Sequence, residues 1–172
     1  METHLMLTGL LHWVVSVLVA FYPFIFPKTS VDLVYLLGFM LLLLGWTMYN
    51  GECMVTYWLK TAGNPSYEAG MSTNQPDDMI LAVGYDTWVS GLLFLGQFMT
   101  CISAYLVFTR NQFPVWFALL VVLTYFGYKT VSRLSSNHHR NRVFHRIQTL
   151  TQLLTWGYIA IYLHLLGSRG TR

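Results

Sequence analysis

The sequence predicts an all-α integral membrane protein, a compact bundle of four to five transmembrane helices in a single domain. Three observations carry this. Of the 172 residues, 55% are hydrophobic and only 10% charged, against roughly 25% charged in an ordinary soluble domain, too little polar surface to coat a water-soluble globule. Apolar runs of about 17 to 22 residues recur along the chain, the length that crosses a hydrocarbon core of roughly 30 Å. Small residues recur at three- and four-residue steps within two of those runs, as helices packed against each other in lipid require.

The first span is expected over 5–26, closed by Pro23 and Pro27. His12, Ser16 and Ala20 fall on one face with Gly9, so this stripe reads as a packing seam and His12 as part of it. With Glu2 at its start and a run longer than a signal-peptide core, the segment is expected to be retained. A short turn leads to the second span, 31–49, where Asp32 sits in the first turn, favoured by the positive end of the helix dipole.

From Gly45 to Gly70 the sequence runs GWTMYNGECMVTYWLKTAGNPSYEAG. The apolar run ends here, turns polar at Asn50, Gly51 and Glu52, presents Cys53, and leaves through Tyr57 and Trp58, residues suited to the headgroup belt. A polar loop occupies 50–79, and its length, prolines and acids mark a contact surface. The third span is expected over 88–108, with Gly96, Thr100 and Ala104 as a second seam, and the fourth over 113–130, with Pro114 in its first turn. A basic loop, 132–148, follows. A fifth segment, 150–166, is at the lower limit for spanning, with an interfacial helix as its alternative.

Charge is segregated along the chain. Residues 1–86 hold all seven acids and two lysines, a net of −5; residues 87–172 hold no acid and eight Lys or Arg, a net of +8. With five spans and the N-terminus cytoplasmic, six basic residues lie inside and four outside; with four spans the division is eight to two, a cleaner fit to the positive-inside rule. Both arrangements place the Cys53 boundary, the acidic loop and the basic loop on the cytoplasmic face.

The candidate contacts for a partner or for lipid are therefore Asn50, Glu52, Cys53, Tyr67, Asp77 and Asp78 on the first loop and Arg133, Arg140, Arg142 and Arg146 on the second. Basic residues flanking a span attract anionic headgroups at about 1 kcal/mol each. Other membrane or capsid-type proteins and further copies of the chain are the other expected partners, with no specific nucleic-acid binding. No catalytic, cofactor or metal site is expected. Six histidines are too few for the histidine boxes of a membrane di-iron site, and His12 and His164 lie at different depths, which disfavours haem. Cys53 has no histidine or fixed cation adjacent in sequence to activate it, so a plain boundary cysteine or a palmitoylated one is expected. Cys53 and Cys101 are separated by roughly 20 Å in depth and read as separate thiols.

Asn50-Gly51-Glu52-Cys53, Thr56-Tyr57, Lys60, Asn64-Pro65, Tyr67 and Gly70 together resemble a pattern of small multi-span membrane proteins of large double-stranded DNA viruses. There a helix ends in a polar-Glu-Cys step, followed by an aromatic, a lysine and a Pro-X-Tyr-X-X-Gly turn. The resemblance covers about 21 residues and implies a protein of the virion's internal membrane or of the host membranes from which it derives, without implying an enzymatic activity. The function expected is structural: a bundle that anchors a membrane to partner proteins. A small oligomeric channel or transporter is the alternative and a membrane enzyme the third reading.

Overall fold

The computed structural model describes residues 2–71, 79, 82–83, 86–134 and 142–168. Asp77, Asp78 and Arg140, expected as contacts, lie outside them. Six helices are described: α1 Glu2–Ile25, α2 Val31–Met48, α3 Met54–Gly63, α4 Asp86–Arg110, α5 Val115–Leu134 and α6 Arg142–Gly167. Four stretches are long and apolar enough to cross a membrane: Met6–Ile25, Val31–Met48, Gly91–Arg110 and Val115–Arg133. The protein is thus a helical membrane bundle.

α1 packs along α4, α4 along α5, and α6 lies against both α2 and α5. The core is built from Leu36, Met40 and Leu43 of α2, Val107 and Phe108 of α4, Phe117 and Val121 of α5, and Phe144 and Tyr162 of α6. Aromatic rings fill much of it: Phe113 stacks on Tyr162 at 5.3 Å and Phe108 meets Phe117 edge-on at 5.6 Å. The two small-residue stripes contribute to the α1–α4 contact. Ala20, Thr100 and Ala104 are buried, and the Ser103 hydroxyl donates to the Ala20 carbonyl. Ser16 and Gly96 are half-buried, and a Cβ at Gly96 would meet nothing within 4 Å, so close helix approach does not require that glycine.

Two helix boundaries differ most from expectation, besides α5, which runs on to Leu134 rather than ending at 130 and takes in the start of the expected basic loop. Pro23 lies inside α1 rather than ending it. A proline has no N–H for the carbonyl four residues back, and here the Tyr35 hydroxyl donates to that carbonyl, Val19, at 3.0 Å. The second difference is larger: α6 begins at Arg142, eight residues before the expected fifth span, and takes up 142–148 of the expected basic loop. Phe144, Thr151, Thr155, Tyr158 and Tyr162 are buried at helical spacing, so the 3.6-residue period continues through a stretch whose composition is polar.

α6 also crosses the full depth of the bundle. Gln148 Nε2 donates to the Thr47 carbonyl near one end of α2, and the Tyr162 hydroxyl donates to the Leu33 carbonyl near the other. Fourteen residues separate the two contacts on each helix, roughly 21 Å of rise. α6 therefore runs antiparallel to α2 although its composition is less apolar than that of the four other long helices.

On the face opposite the 49–71 segment, one carboxylate ties three elements. Asp32 is fully buried. Its oxygens accept from Arg110 Nε at 2.7 Å and Nη2 at 2.5 Å, from Asn111 Nδ2 at 2.6 Å and from the Tyr22 hydroxyl at 3.0 Å. Arg110 Nη1 also reaches the carbonyls of Pro23 and Phe26, which the end of α1 leaves without intrahelical donors. The chain turns sharply at this point because Gln112 adopts φ 58 and the N–H of Phe113 bonds back to the Phe108 carbonyl at 3.1 Å, a left-handed helix cap with its two phenyl rings in contact.

Removing one partner of a buried ion pair strands the other. Asp32→Ala is expected to destabilise the bundle by about 3 kcal/mol or more. The double substitution Asp32→Leu with Arg110→Leu is expected to recover most of that loss. Unfolding in mixed micelles of detergent and denaturing surfactant measures both.

Candidate functional site

The second polar centre lies on the other face and is built from the segment that follows α2. Asn50 and Gly51 both have positive φ, 51 and 84. Their left-handed pair ends α2, and the Gly51 N–H returns to the Trp46 carbonyl at 2.7 Å, again a left-handed cap. The turn throws Glu52 back toward the protein and places Cys53 at the N-cap of α3. α3 then leads to a tight turn at Asn64–Tyr67, in which Asn64 Oδ1 accepts from Ser66 and the Tyr67 N–H bonds the Asn64 carbonyl at 2.9 Å. Asn at the first and Pro at the second position suit such a turn.

Glu52 is 2% exposed. The Lys60 ammonium donates to Oε1 at 2.7 Å, the Tyr67 hydroxyl lies 3.0 Å from both oxygens, and the Gly70 N–H reaches Oε2 at 3.4 Å. Asn50 completes the fastening: its Nδ2 donates to the Ala69 carbonyl at 2.7 Å and its Oδ1 accepts from Gln148 at 2.7 Å. Gly70 has φ 88, and a Cβ there would stand 3.0 Å from the Asn50 Cβ, so both its backbone and its neighbour demand glycine. Asn50, Gly51, Glu52, Lys60, Asn64, Pro65, Tyr67 and Gly70, picked out in sequence as a pattern, thus form one folded elbow around a buried carboxylate.

That geometry corrects the expectation for Glu52. It is not a surface contact, because its carboxylate is turned inward and occupied. Asn50 and Tyr67 are half-buried and hydrogen-bonded within the elbow. The outward side of the elbow instead carries Met54, Trp58 and Met71, which are 40%, 55% and 57% exposed. Met54 and Trp58 lie one helical turn apart on α3, an apolar strip at the level of the membrane boundary. Arg133, Arg142 and Arg146 are exposed.

The elbow is anchored to the bundle from several sides. The Tyr128 hydroxyl of α5 donates to the Trp46 carbonyl at 3.2 Å, and the neighbouring Lys129 ammonium lies 3.9 Å from the Trp46 ring centroid and 3.4 Å from the Gly51 carbonyl. Gln148 of α6 holds Thr47 and Asn50. From α1, His12 Nε2 approaches Cys53 Sγ at 3.5 Å. Both residues are half-buried, and Cys53 and Cys101 are free thiols.

The His12–Cys53 contact escaped the sequence reading, which placed His12 in a packing stripe and found no base beside Cys53. The two are 41 residues apart, and the only signal was that both lie near the same membrane boundary. Burial pushes the Cys53 thiol up. The hydrogen bond and charge of His12, with the backbone N–H groups of Thr56 and Val55, more than offset this and bring it below its ordinary value. Among the described residues no three His, Cys, Asp or Glu side chains come together as a metal site.

Four outcomes are expected. Glu52→Ala leaves Lys60 without its carboxylate and should destabilise the elbow by about 3 kcal/mol, read as faster proteolysis between residues 54 and 80 in detergent-solubilised protein. Gly70→Ala should act in the same direction through its left-handed backbone, by about 1–2 kcal/mol. Alkylation of Cys53 by iodoacetamide should be half-maximal below the pH of about 8.5 at which an ordinary thiol titrates, because the thiolate is the reacting form. His12→Gln should move that midpoint upward.

Comparison of the chain with family models, with curated proteins and with solved structures finds no match.

Proposed function

We propose that the protein is a structural element of a membrane, a helical anchor that holds a bilayer to a layer of partner proteins through its elbow face. One observation carries the reading: the polar groups of the elbow are spent on fixing its own shape, while Met54, Trp58 and Met71 are displayed outward. A catalytic loop needs its charged groups free for a substrate. A docking edge needs a rigid backbone and an apolar contact strip with a polar rim, and this one has both.

The basic side chains extend the same argument. Arg133, Arg142 and Arg146 are exposed, and a shallow groove on α6 runs from His145 and Arg146 past Thr149 to Leu150 and Leu153. Basic groups above an apolar track suit an anionic phospholipid, headgroup at the arginine and acyl chain along the leucines. The resemblance of the elbow sequence to small membrane proteins of large DNA viruses makes a virion's internal membrane, or the host membrane it derives from, the setting for this role. A channel within one copy is disfavoured, because aromatic rings occupy the core of the described bundle.

Replacing Arg140, Arg142 and Arg146 together by Ala should release the partner layer while membrane insertion is unchanged. At about 1 kcal/mol per basic group, retention of anionic lipid should fall roughly a hundredfold. A photoreactive amino acid at Trp58 should crosslink to protein in the native membrane. Unchanged co-purification of the triple variant, together with crosslinks to lipid alone, would overturn the anchoring role.

A further inference from the structure

The contact between Cys53 and His12 is not used by the anchoring role. It pairs a nucleophilic side chain and a base from separate elements, α3 and α1, across a boundary between membrane and water. The thiol stands at the N-cap of a ten-residue helix, where the first backbone N–H groups favour a negative sulfur. His12 Nε2 is within hydrogen-bond reach of a sulfur, 3.5 Å. Lys129 of α5 reaches the Gly51 carbonyl, two residues before the thiol, at 3.4 Å. Glu52, the adjacent acid, is already engaged by Lys60 and Tyr67 and is not held against the sulfur.

The surroundings indicate what such a thiol could meet. α1 has the fewest buried residues of the four apolar spans, with Leu11 and Val15 exposed on either side of His12 in sequence. The dyad therefore lies at the lipid-facing edge of the bundle rather than at its centre. Met54, next to Cys53 in the chain, and Trp58, one turn further along α3, are exposed. An amphiphile with a reactive group at headgroup level and a hydrocarbon chain in the bilayer has the matching shape.

We propose that Cys53 is an acyl-accepting nucleophile, taking a fatty acyl group from a long-chain acyl-coenzyme A thioester with His12 as its base. His12 takes the thiol proton. Sγ then attacks the thioester carbonyl carbon, a new carbon–sulfur bond forms, and the bond to coenzyme A breaks. The departing thiolate recovers the proton from His12. The step exchanges one thioester for another, so no oxidant, reductant or further reactant is needed.

The test uses the full chain in phospholipid nanodiscs with an alkyne-tagged palmitoyl-coenzyme A as the probe. The expected result is one acyl group per chain, released by neutral hydroxylamine and mapped to the Cys53 peptide. Cys53→Ser should abolish it and Cys101→Ser should retain it. His12→Gln should slow it about a hundredfold, the usual scale of a positioned base. Absence of label on Cys53, or equal labelling rates with and without His12 in a variant that melts like the original, would overturn the proposal. If His12→Gln does not fold, the pH profile of labelling in the unsubstituted chain decides: a midpoint below about 8.5 supports an activated thiol, and one at or above it overturns the assignment.

Discussion

A carboxylate withdrawn from water must be met by donors, and in this protein that constraint organises both ends of the bundle. Transfer of an ion out of water costs several kcal/mol even after relaxation, so a buried acid is tolerated only where other elements bring charge and N–H or O–H groups to it. Asp32 draws Arg110 and Asn111 from the end of α4 and Tyr22 from α1. Glu52 draws Lys60 from α3 and Tyr67 and Gly70 from the following turn. Apolar contact alone gives weak orientation to helices in lipid, because the tails are as apolar as leucine. The two acids supply direction: each can be satisfied in one arrangement of its neighbours.

The two centres differ in what they leave over. Around Asp32 the donors come from spans, so the effect is to lock α1, α2 and α4 together and to cover the carbonyls at the end of α1. Around Glu52 the donors come from a short helix and a turn outside the spans, so the effect is to shape a surface. That surface is then fastened to the spans by Gln148, Tyr128 and Lys129. Rigidity at the elbow is thus borrowed from the bundle, the condition under which an exposed strip such as Met54 and Trp58 keeps a fixed geometry.

The helical bundle was legible in the sequence because hydrophobic run length and small-residue spacing are local properties. Helices α2 and α4 begin and end within two residues of the apolar runs for the same reason. What was not legible depended on partners distant along the chain. Pro23 reads locally as a stop, and only Tyr35 on the next helix explains why α1 continues through it. The start of α6 was hidden because Arg142, His145 and Arg146 make the composition polar while Phe144 keeps the helical period. Glu52 read as a surface acid because Lys60 and Tyr67 lie eight and fifteen residues further on, in a helix and a turn whose return to Glu52 depends on how the chain folds back at Asn50 and Gly51. The pattern around it did identify the right residues. The inward direction of the carboxylate, and the arrival of His12 beside Cys53, needed the fold.

The fold also changes the meaning of the charge segregation. In sequence the first half is acidic and the second basic, which suggests a dipolar protein with two kinds of polar partner. Folded, Asp32 is cancelled by Arg110 and Glu52 by Lys60, both pairs being internal. Of the described groups that remain exposed around the elbow and the start of α6, Glu68 stands against Arg133, Arg142 and Arg146. Internal pairs contribute little at a distance, since their fields oppose within a few ångströms, whereas exposed charges act over a Debye length of about 8 Å. The field presented by the described part of that face is therefore basic rather than mixed. An approaching headgroup or acidic protein surface meets the arginines first and the apolar strip of α3 only on contact, an order in which attraction precedes fit.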